Sequence, residues 1–302
     1  MLVYDDLFKS ILNQLDKEFH KDIINSSIVI LDTPGIHTRF SNFATNMREL
    51  TREVFHTLAP DHEVMECQWY EKETNEGEAD ITRIQRMTYA IKGGLSNEFI
   101  QDELGIDFKD ITKQLNKVIR TLNKYTHINE KVYYRDEKDG YEMVERTLSA
   151  FDNFLKTIKD IRSIILRKLE ERLYNEVSDA LMDDLIQEID ILATHYLIED
   201  VWLGTVIVNK ITASNIFIDI QGSVDIEHQY GSDGDYKRGD GIRIDSSYPF
   251  QVPLILDINY PLEISISHIK LKLIILPFMS KNPKKYYGIF NVQFYISNFS
   301  SQ

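Results

Sequence analysis

Three polar side chains are spaced to share one face of a helix predicted over residues 115–129, LNKVIRTLNKYTHIN. Arg120, Asn123 and His127 stand at positions i, i+3 and i+7, which lie on the same side of an α-helix. A guanidinium binds phosphate oxygens, and an imidazole exchanges a proton near neutral pH. The spacing therefore predicts a site for a phosphodiester. A polar, solvent-facing helix end is the alternative.

A second set of basic side chains occupies an earlier predicted helix, residues 38–58. Arg48, Arg52 and His56 follow one another at i, i+4 and i+8 and would form one column. We expect this column to line the same cleft as the first set and to contact the substrate. A solvated face bridged to neighbouring glutamates is the alternative.

Three further basic residues are candidate substrate contacts. Arg83 and Arg86 are three residues apart in a helix predicted over residues 80–91, which two consecutive glycines end. Lys124 directly follows Asn123 in the helix that carries the first set.

The charge of the chain restricts where nucleic acid could bind. The net charge is −14 over 302 residues, and residues 1–200 carry all of it, with 25 Lys/Arg against 39 Asp/Glu. An overall negative field repels nucleic acid. A nucleic-acid site must therefore be a local basic pocket, or must form when chains assemble.

Composition also excludes several classes of protein. The only cysteine is Cys67, which excludes an internal disulfide framework and a cysteine-based zinc site. No apolar run approaches the roughly 20 residues of a membrane span. The first residues, MLVYDDLFKS, lack the basic-then-apolar order of a signal peptide. We expect a cytoplasmic protein with no membrane segment.

Hydrophobic periodicity changes once along the chain. A helical pattern without proline or glycine runs over residues 141–201, and we expect it to break once into two helices or to form a dimer seam. Period-two alternation follows from Trp202-Leu203-Gly204 onward. The sequence predicts an α+β fold, with an all-α domain at 1–202 and an all-β sandwich or barrel at 203–302. Residues 26–35 are expected to form a short extended segment and a turn.

A dense polar loop, residues 229–242, lies within the predicted β-domain. Its acidic residues Asp233, Asp235 and Asp240 could bind a cation, but the spacing of an EF-hand fails. We therefore predict no metal site. We interpret the loop, including Arg238, as a ligand-binding or regulatory surface, with a Gly/Asp hairpin loop as the alternative.

Several phrases of the sequence resemble known families. LNKYTHIN, with six residues between Arg120 and His127, is similar to HEPN-type helical ribonucleases, whose signature is an arginine, a spacer of about four to six residues, and a histidine. Arg52 and His56 are separated by only three residues and depart from that pattern. RFSNFATNMREL, the arginines of ITRIQRMTYAIKGGLS, and YGSDGDYKRGDG together resemble predicted nucleases associated with prokaryotic-PIWI (pPIWI) conflict systems. This resemblance covers most of the chain.

The resemblance implies an antiphage endoribonuclease that cuts RNA without metal or other cofactor, using the 2′-hydroxyl as nucleophile. His127 would act as general base or acid, Arg120 would stabilise the phosphate charge, and Asn123 or Lys124 would orient the scissile group. It also implies a homodimer with a composite site, other defence proteins as partners, and regulation through the β-domain. The alternatives are a non-catalytic interaction module and a metal-dependent DNase using the loop aspartates, which lacks the lysine-bearing motif of such enzymes.

Overall fold

The computed structural model describes residues 4–33, 35–72, 80–189, 195–264 and 272–273. These residues form two compact units. The first holds the described residues up to Ile164 together with Thr212–Ser214, and the second holds Ile165–Ile211 and the described residues from Asn215 onward. None of the helices in these ranges is long and apolar enough to span a membrane.

The first part of the chain is helical. The helices are α1 (Asp5–Leu12), α2 (Glu18–Asp32), α3 (Arg39–Leu58), α4 (Asp61–Glu66), α5 (Arg83–Lys92), α6 (Phe108–Thr126), α7 (Glu130–Tyr133) and α8 (Glu137–Ile189), with a π-helical turn at Phe99–Glu103. The bounds of α3 and α5 lie within three residues of those predicted from periodicity. Helix α6 begins seven residues before the predicted stretch 115–129 and ends three residues before the end of that stretch. Apolar side chains of α3 and α8 meet in the core, where the rings of Phe55 and Phe154 lie 5.4 Å apart.

Helix α2 corrects one prediction. Residues 26–32 were expected to be extended, but they continue the helix that begins at Glu18. Ile24, Ser27 and Leu31 are buried at helical spacing, and Asn46 of α3 donates a 3.1 Å hydrogen bond to Ser27 Oγ. Packing against α3 therefore overrides the strand preference of the β-branched residues in this segment.

Helix α8 is continuous over 53 residues, so the pattern does not break into two helices between Glu137 and Ile189. The other expectation, a dimer seam, stays a prediction. Because no proline or glycine follows Gly140 before Ile189, nothing in the backbone ends the helix earlier. The division between the two compact units lies inside this helix, at Ile164. The domain boundary at residue 203 stays a prediction.

The second unit contains an antiparallel sheet. Its strands are β1 (His195–Ile211), β2 (Asn215–Tyr230), β3 (Ile242–Asp257) and the two-residue β4 (Lys272–Leu273), in the order β1-β2-β3-β4. The three main strands are longer than the short strands expected, and β1 begins before the predicted boundary. A sandwich or barrel is not shown by the described residues. The α+β class is confirmed, with a helical N-terminal region and a C-terminal antiparallel sheet.

The close pairing of β2 with its two neighbouring strands requires glycine at position 222. A Cβ there would lie 2.2 Å from the Trp202 carbonyl oxygen and 2.5 Å from the Phe250 ring. Only glycine leaves room for the neighbouring strands at this point. The residue pairing between β1 and β2 also shifts register at three points, as it does at a β-bulge.

Candidate functional site

Helices α3, α5 and α6 enclose a cleft of about 440 Å³, here called the arginine cleft. Six of the residues singled out in the sequence line it: Arg48, Arg52, His56, Arg83, Arg86 and Asn123. They come from three helices that are far apart in sequence. Of the first predicted set, Asn123 lines this cleft together with the Arg48/Arg52/His56 column, whereas Arg120 and His127 do not, so a cleft shared by the two whole sets stays a prediction.

The position of the α3 column follows from the buried face of that helix. Met47, Leu50 and Val54 point into the core, so the intervening charged residues face outward. Glu49 bonds to both arginines, at 3.0 Å from Arg48 Nη2 and 3.0 Å from Arg52 Nε. The hydrogen bond from Arg48 is the main reason that the pKa of Glu49 is below its usual value, and the bond from Arg52 lowers this pKa further. Arg52 also pairs with Glu53 at 2.8 Å, and His56 is exposed.

The α5 residues are fixed by a capping box. The Thr82 hydroxyl accepts from the Gln85 N–H at 3.3 Å, and the Gln85 side chain accepts from the Thr82 N–H at 2.8 Å. Arg86 is buried, and its Nη1 donates to the Ala59 carbonyl at 2.8 Å and to Asp61 at 2.7 Å. Arg86 therefore secures α5 to the junction between α3 and α4, and its guanidinium is already engaged.

Arg83 is the guanidinium of α5 that is left for a ligand. It is exposed, and its guanidinium donates a 3.3 Å hydrogen bond to the amide oxygen of Asn116. Partial loss of solvation lowers the pKa of Arg83, and the positive charges of Arg120 and Arg48 lower it further. Since an arginine stays protonated at any ordinary pH, this repulsion is relieved by binding an anion.

The structure separates the residues of the first predicted set. Arg120 and Asn123 are exposed on α6, while Leu115, Ile119 and Leu122 of that helix are buried. Asn123 lines the arginine cleft, but Arg120 lines a neighbouring groove.

His127 lines neither the arginine cleft nor the neighbouring groove. Helix α6 ends at Thr126, and His127 is exposed with an extended backbone, φ −97° and ψ 108°. The pairing of Arg120 with His127 at one site stays a prediction.

The neighbouring groove, here called the lysine groove, has a volume of about 300 Å³. Ile84 of α5 forms one wall, and α6 contributes Lys113, Lys117, Arg120 and Lys124. Lys113 and Lys117 escaped the sequence-based predictions. The signal that identifies them is the absence of any Asp or Glu between residues 111 and 129 of an otherwise acidic region.

The aspartates of the 229–242 loop are bound by their own chain. A short helix, α9 (Asp233–Arg238), is closed by a capping box between Ser232 and Asp235. Asp235 pairs with Arg238 at 2.5 Å, and Asp233 accepts from Gln229 at 2.8 Å. These hydrogen bonds, from Gln229 to Asp233 and from Ser232 to Asp235, lower the pKa of both aspartates.

A different acidic cluster is formed by strand pairing. Carboxylate oxygens of Glu199, Glu227 and Asp245, one from each main strand, lie within 4.8 Å of one another. Glu227 also pairs with Arg243 at 3.1 Å, and Glu199 and Asp245 are exposed. Carboxylate oxygens are the ligands that a hard cation prefers. However, two of these carboxylates are exposed to solvent and the third pairs with an arginine, as is common on the surface of a strand. We do not assign a metal to it.

Comparison with protein families agrees with one of the sequence resemblances. Residues 12–151 match one family model and residues 158–273 match another, and both are described as a predicted pPIWI-associating nuclease. The two matches together cover most of the chain, which therefore carries two domains of the predicted pPIWI-associating nuclease type. The arginine cleft and the lysine groove lie within the first match. Comparisons with curated proteins and with solved structures found no match. The likeness to HEPN ribonucleases stays a prediction.

Proposed function

We propose that the chain is a nuclease that cleaves RNA in the arginine cleft. The observation that carries the proposal is the convergence of Arg48, Arg52, Arg83 and His56 on one cleft in a chain of net charge −14. In an acidic protein, such a local collection of cations is the place where a phosphate backbone can bind. The description of the family as nucleases supports this assignment.

The residues of the cleft suit cleavage by the RNA's own 2′-hydroxyl. His56 removes the proton of the 2′-hydroxyl, whose oxygen forms a bond to phosphorus as the bond to the 5′-oxygen breaks. The leaving oxygen takes a proton from solvent, and the products end in a 2′,3′-cyclic phosphate and a 5′-hydroxyl. Arg83 binds the phosphate and stabilises the negative charge that grows on it. Arg52 joins it by exchanging its weak surface ion pairs with Glu49 and Glu53 for the phosphate. Asn123 is placed to hold a phosphate oxygen or the 2′-hydroxyl.

His56 thus takes the role that the sequence resemblance implied for His127, because His56 is the imidazole that lines the cleft. The side chains available as metal ligands in the cleft also favour a reaction without a metal ion. Among the described residues that line the cleft, Glu49 is the one carboxylate, and two arginines already bond to it. Mg²⁺ prefers several oxygen ligands, which this cleft does not offer.

The test is cleavage of labelled single-stranded RNA in EDTA by the full chain and three histidine variants. His56→Ala should lower the rate by roughly 10²- to 10⁴-fold, the usual contribution of a general base. His62→Ala removes an exposed histidine of α4 outside the cleft and should leave the rate unchanged. His127→Ala should also have little effect.

Two outcomes would contradict the proposal. Loss of cleavage in His127→Ala with full activity in His56→Ala would restore the Arg120/His127 site. Absence of cleavage by the wild-type chain together with a pPIWI partner would favour the non-catalytic interaction module.

We further propose that the protein acts in defence together with a pPIWI protein, as the family description suggests. The sheet-bearing unit, with Asp233, Asp235, Arg238 and Asp240 on its 229–242 loop, is the proposed docking or regulatory part. A homodimer is part of the same proposal, and light scattering of the purified chain tests it.

A further inference from the structure

The lysine groove carries an unusual row of positive charge. Lys113, Lys117, Arg120 and Lys124 are separated by four, three and four residues, so they lie along one face of α6. At about 1.5 Å of rise per residue, the row is roughly 16 Å long. Its straightness matches a linear polyanion better than a compact anion, which would contact only one or two of the cations.

The four positive charges of the row repel one another within α6. Within the part of the chain that the structure describes, none of them forms an ion pair. Like charges at i and i+4 destabilise a helix by roughly 0.2–0.5 kcal/mol per pair. The row therefore costs stability in the free protein, and a bound polyanion would remove that cost. The ordinary alternative is a solvated basic face, which the test below separates from a binding track.

A cluster of aromatic rings lies beyond the end of α6. The rings of His37, Tyr133 and Tyr134 are in mutual contact, with centroid distances of 4.9 Å for His37 to Tyr133, 6.0 Å for His37 to Tyr134 and 4.9 Å for Tyr133 to Tyr134. All three residues are exposed, and Tyr134 keeps 70% of its accessible surface. Helix α7, which carries Tyr133, begins four residues after α6 ends, and Lys124 is the member of the row nearest to that end of α6.

Exposed aromatic rings are stacking surfaces for unpaired bases, whereas paired bases inside a duplex offer no free face. We propose that the lysine groove binds single-stranded RNA, with the phosphates along α6 and an unpaired base stacked on Tyr134. The choice of RNA rests on the proposed function. The groove adjoins the arginine cleft through Arg83 and Asn116, so the track leads the strand toward the reacting phosphate.

The binding test uses a fluorescent 2′-O-methyl RNA oligonucleotide, which lacks the nucleophilic hydroxyl and therefore cannot be cleaved by the proposed reaction. Fluorescence polarisation at a series of salt concentrations gives the slope of log K against log salt. Each phosphate contact contributes roughly −0.7 to this slope for a single strand, so four contacts give about −3.

The double variant Lys113→Ala/Lys117→Ala should reduce the slope by about 1.4, because two phosphate contacts are lost. The control Lys9→Ala/Lys138→Ala removes two exposed lysines outside the groove and changes the net charge equally. The control should retain the wild-type slope. Tyr134→Ala should weaken binding about tenfold and leave the slope unchanged, since stacking involves no counterion release.

Two results would overturn the inference. One is an equal slope for the groove variant and its control. The other is equal affinity for the single strand, for a duplex of the same sequence, and for single-stranded DNA. The outcome is independent of catalysis, because the oligonucleotide is not cleaved. If the histidine variants contradict cleavage in the arginine cleft but the groove variant lowers the salt slope, the cleavage proposal is wrong and RNA binding by the lysine groove still holds.

Discussion

Lys92 is fully buried at the C-terminal end of α5, and its burial makes the stability of the helical unit depend on pH. Its ammonium group donates a hydrogen bond to the carbonyl of Leu95. It also lies 4.9 Å from the ring centre of Trp69 and 5.9 Å from that of Phe108. Burial lowers the pKa of Lys92 from 10.5 to about 8.

The size of the effect follows from this difference in pKa. A difference of one pKa unit corresponds to about 1.36 kcal/mol, so burying the charged Lys92 costs about 3 kcal/mol at pH 7. Between pH 8 and pH 10.5 the unfolded chain still binds the proton that the folded chain has released. The contribution of Lys92 to the free energy of unfolding therefore rises with pH across this window, and it is lost as the pH falls through 8.

Lys92→Met removes the charge and keeps a flexible apolar side chain. We expect the variant to be more stable than the wild type by about 1 kcal/mol at pH 7, since the lost hydrogen bond and ring contacts offset part of the relief. Between pH 7 and pH 10.5 the difference should shift by about 3 kcal/mol in favour of the wild type, because the wild-type penalty disappears.

The measurement is urea unfolding followed by circular dichroism at several pH values. Comparison of the variant with the wild type cancels the other groups that titrate in this range, among them Cys67, whose pKa burial raises to about 12. Lys138→Met, which removes an exposed lysine of α8, is the control for the loss of one charge. A stability difference between Lys92→Met and wild type that does not change with pH would refute the reasoning.

Two further substitutions test contacts that position the site. Arg86→Met should lower the free energy of unfolding by about 1–3 kcal/mol, because the buried Ala59 carbonyl loses its partner while Asp61 returns to water. Gly94→Ala places a Cβ 2.0 Å from the Ala213 carbonyl oxygen, and overpacking of this kind costs about 1–3 kcal/mol. Thermal unfolding measures both, and an unchanged melting temperature in either variant would show that the contact does not contribute to stability.

Much of the fold was readable from local sequence. Apolar residues recur at helical spacing in α3 and α6, and the structure buries most of them. Alternation from Thr205 onward likewise predicted strands. These patterns are local, since the period of a helix or strand relates residues within one element to one face.

Other features could not be read in this way. The β-branched run Ile28-Val29-Ile30 is compatible with a strand, and only packing of α2 against α3 makes it helical. Lys113 and Lys117 belong to no column of arginine and histidine, so helical spacing did not single them out, although the absence of acidic residues around them is visible in the sequence.

At the candidate site, too, the sequence predicted some features and only the tertiary structure decided others. Residue types and helical spacing identified Arg48, Arg52, His56, Arg83 and Asn123 as candidates, because each helix by itself fixes which side chains share a face. Spacing within one helix says nothing about which faces of different helices meet. The tertiary structure places His56 in the cleft and His127 outside it, since the core packing of α3, α5 and α6 sets the cleft and α6 ends at Thr126.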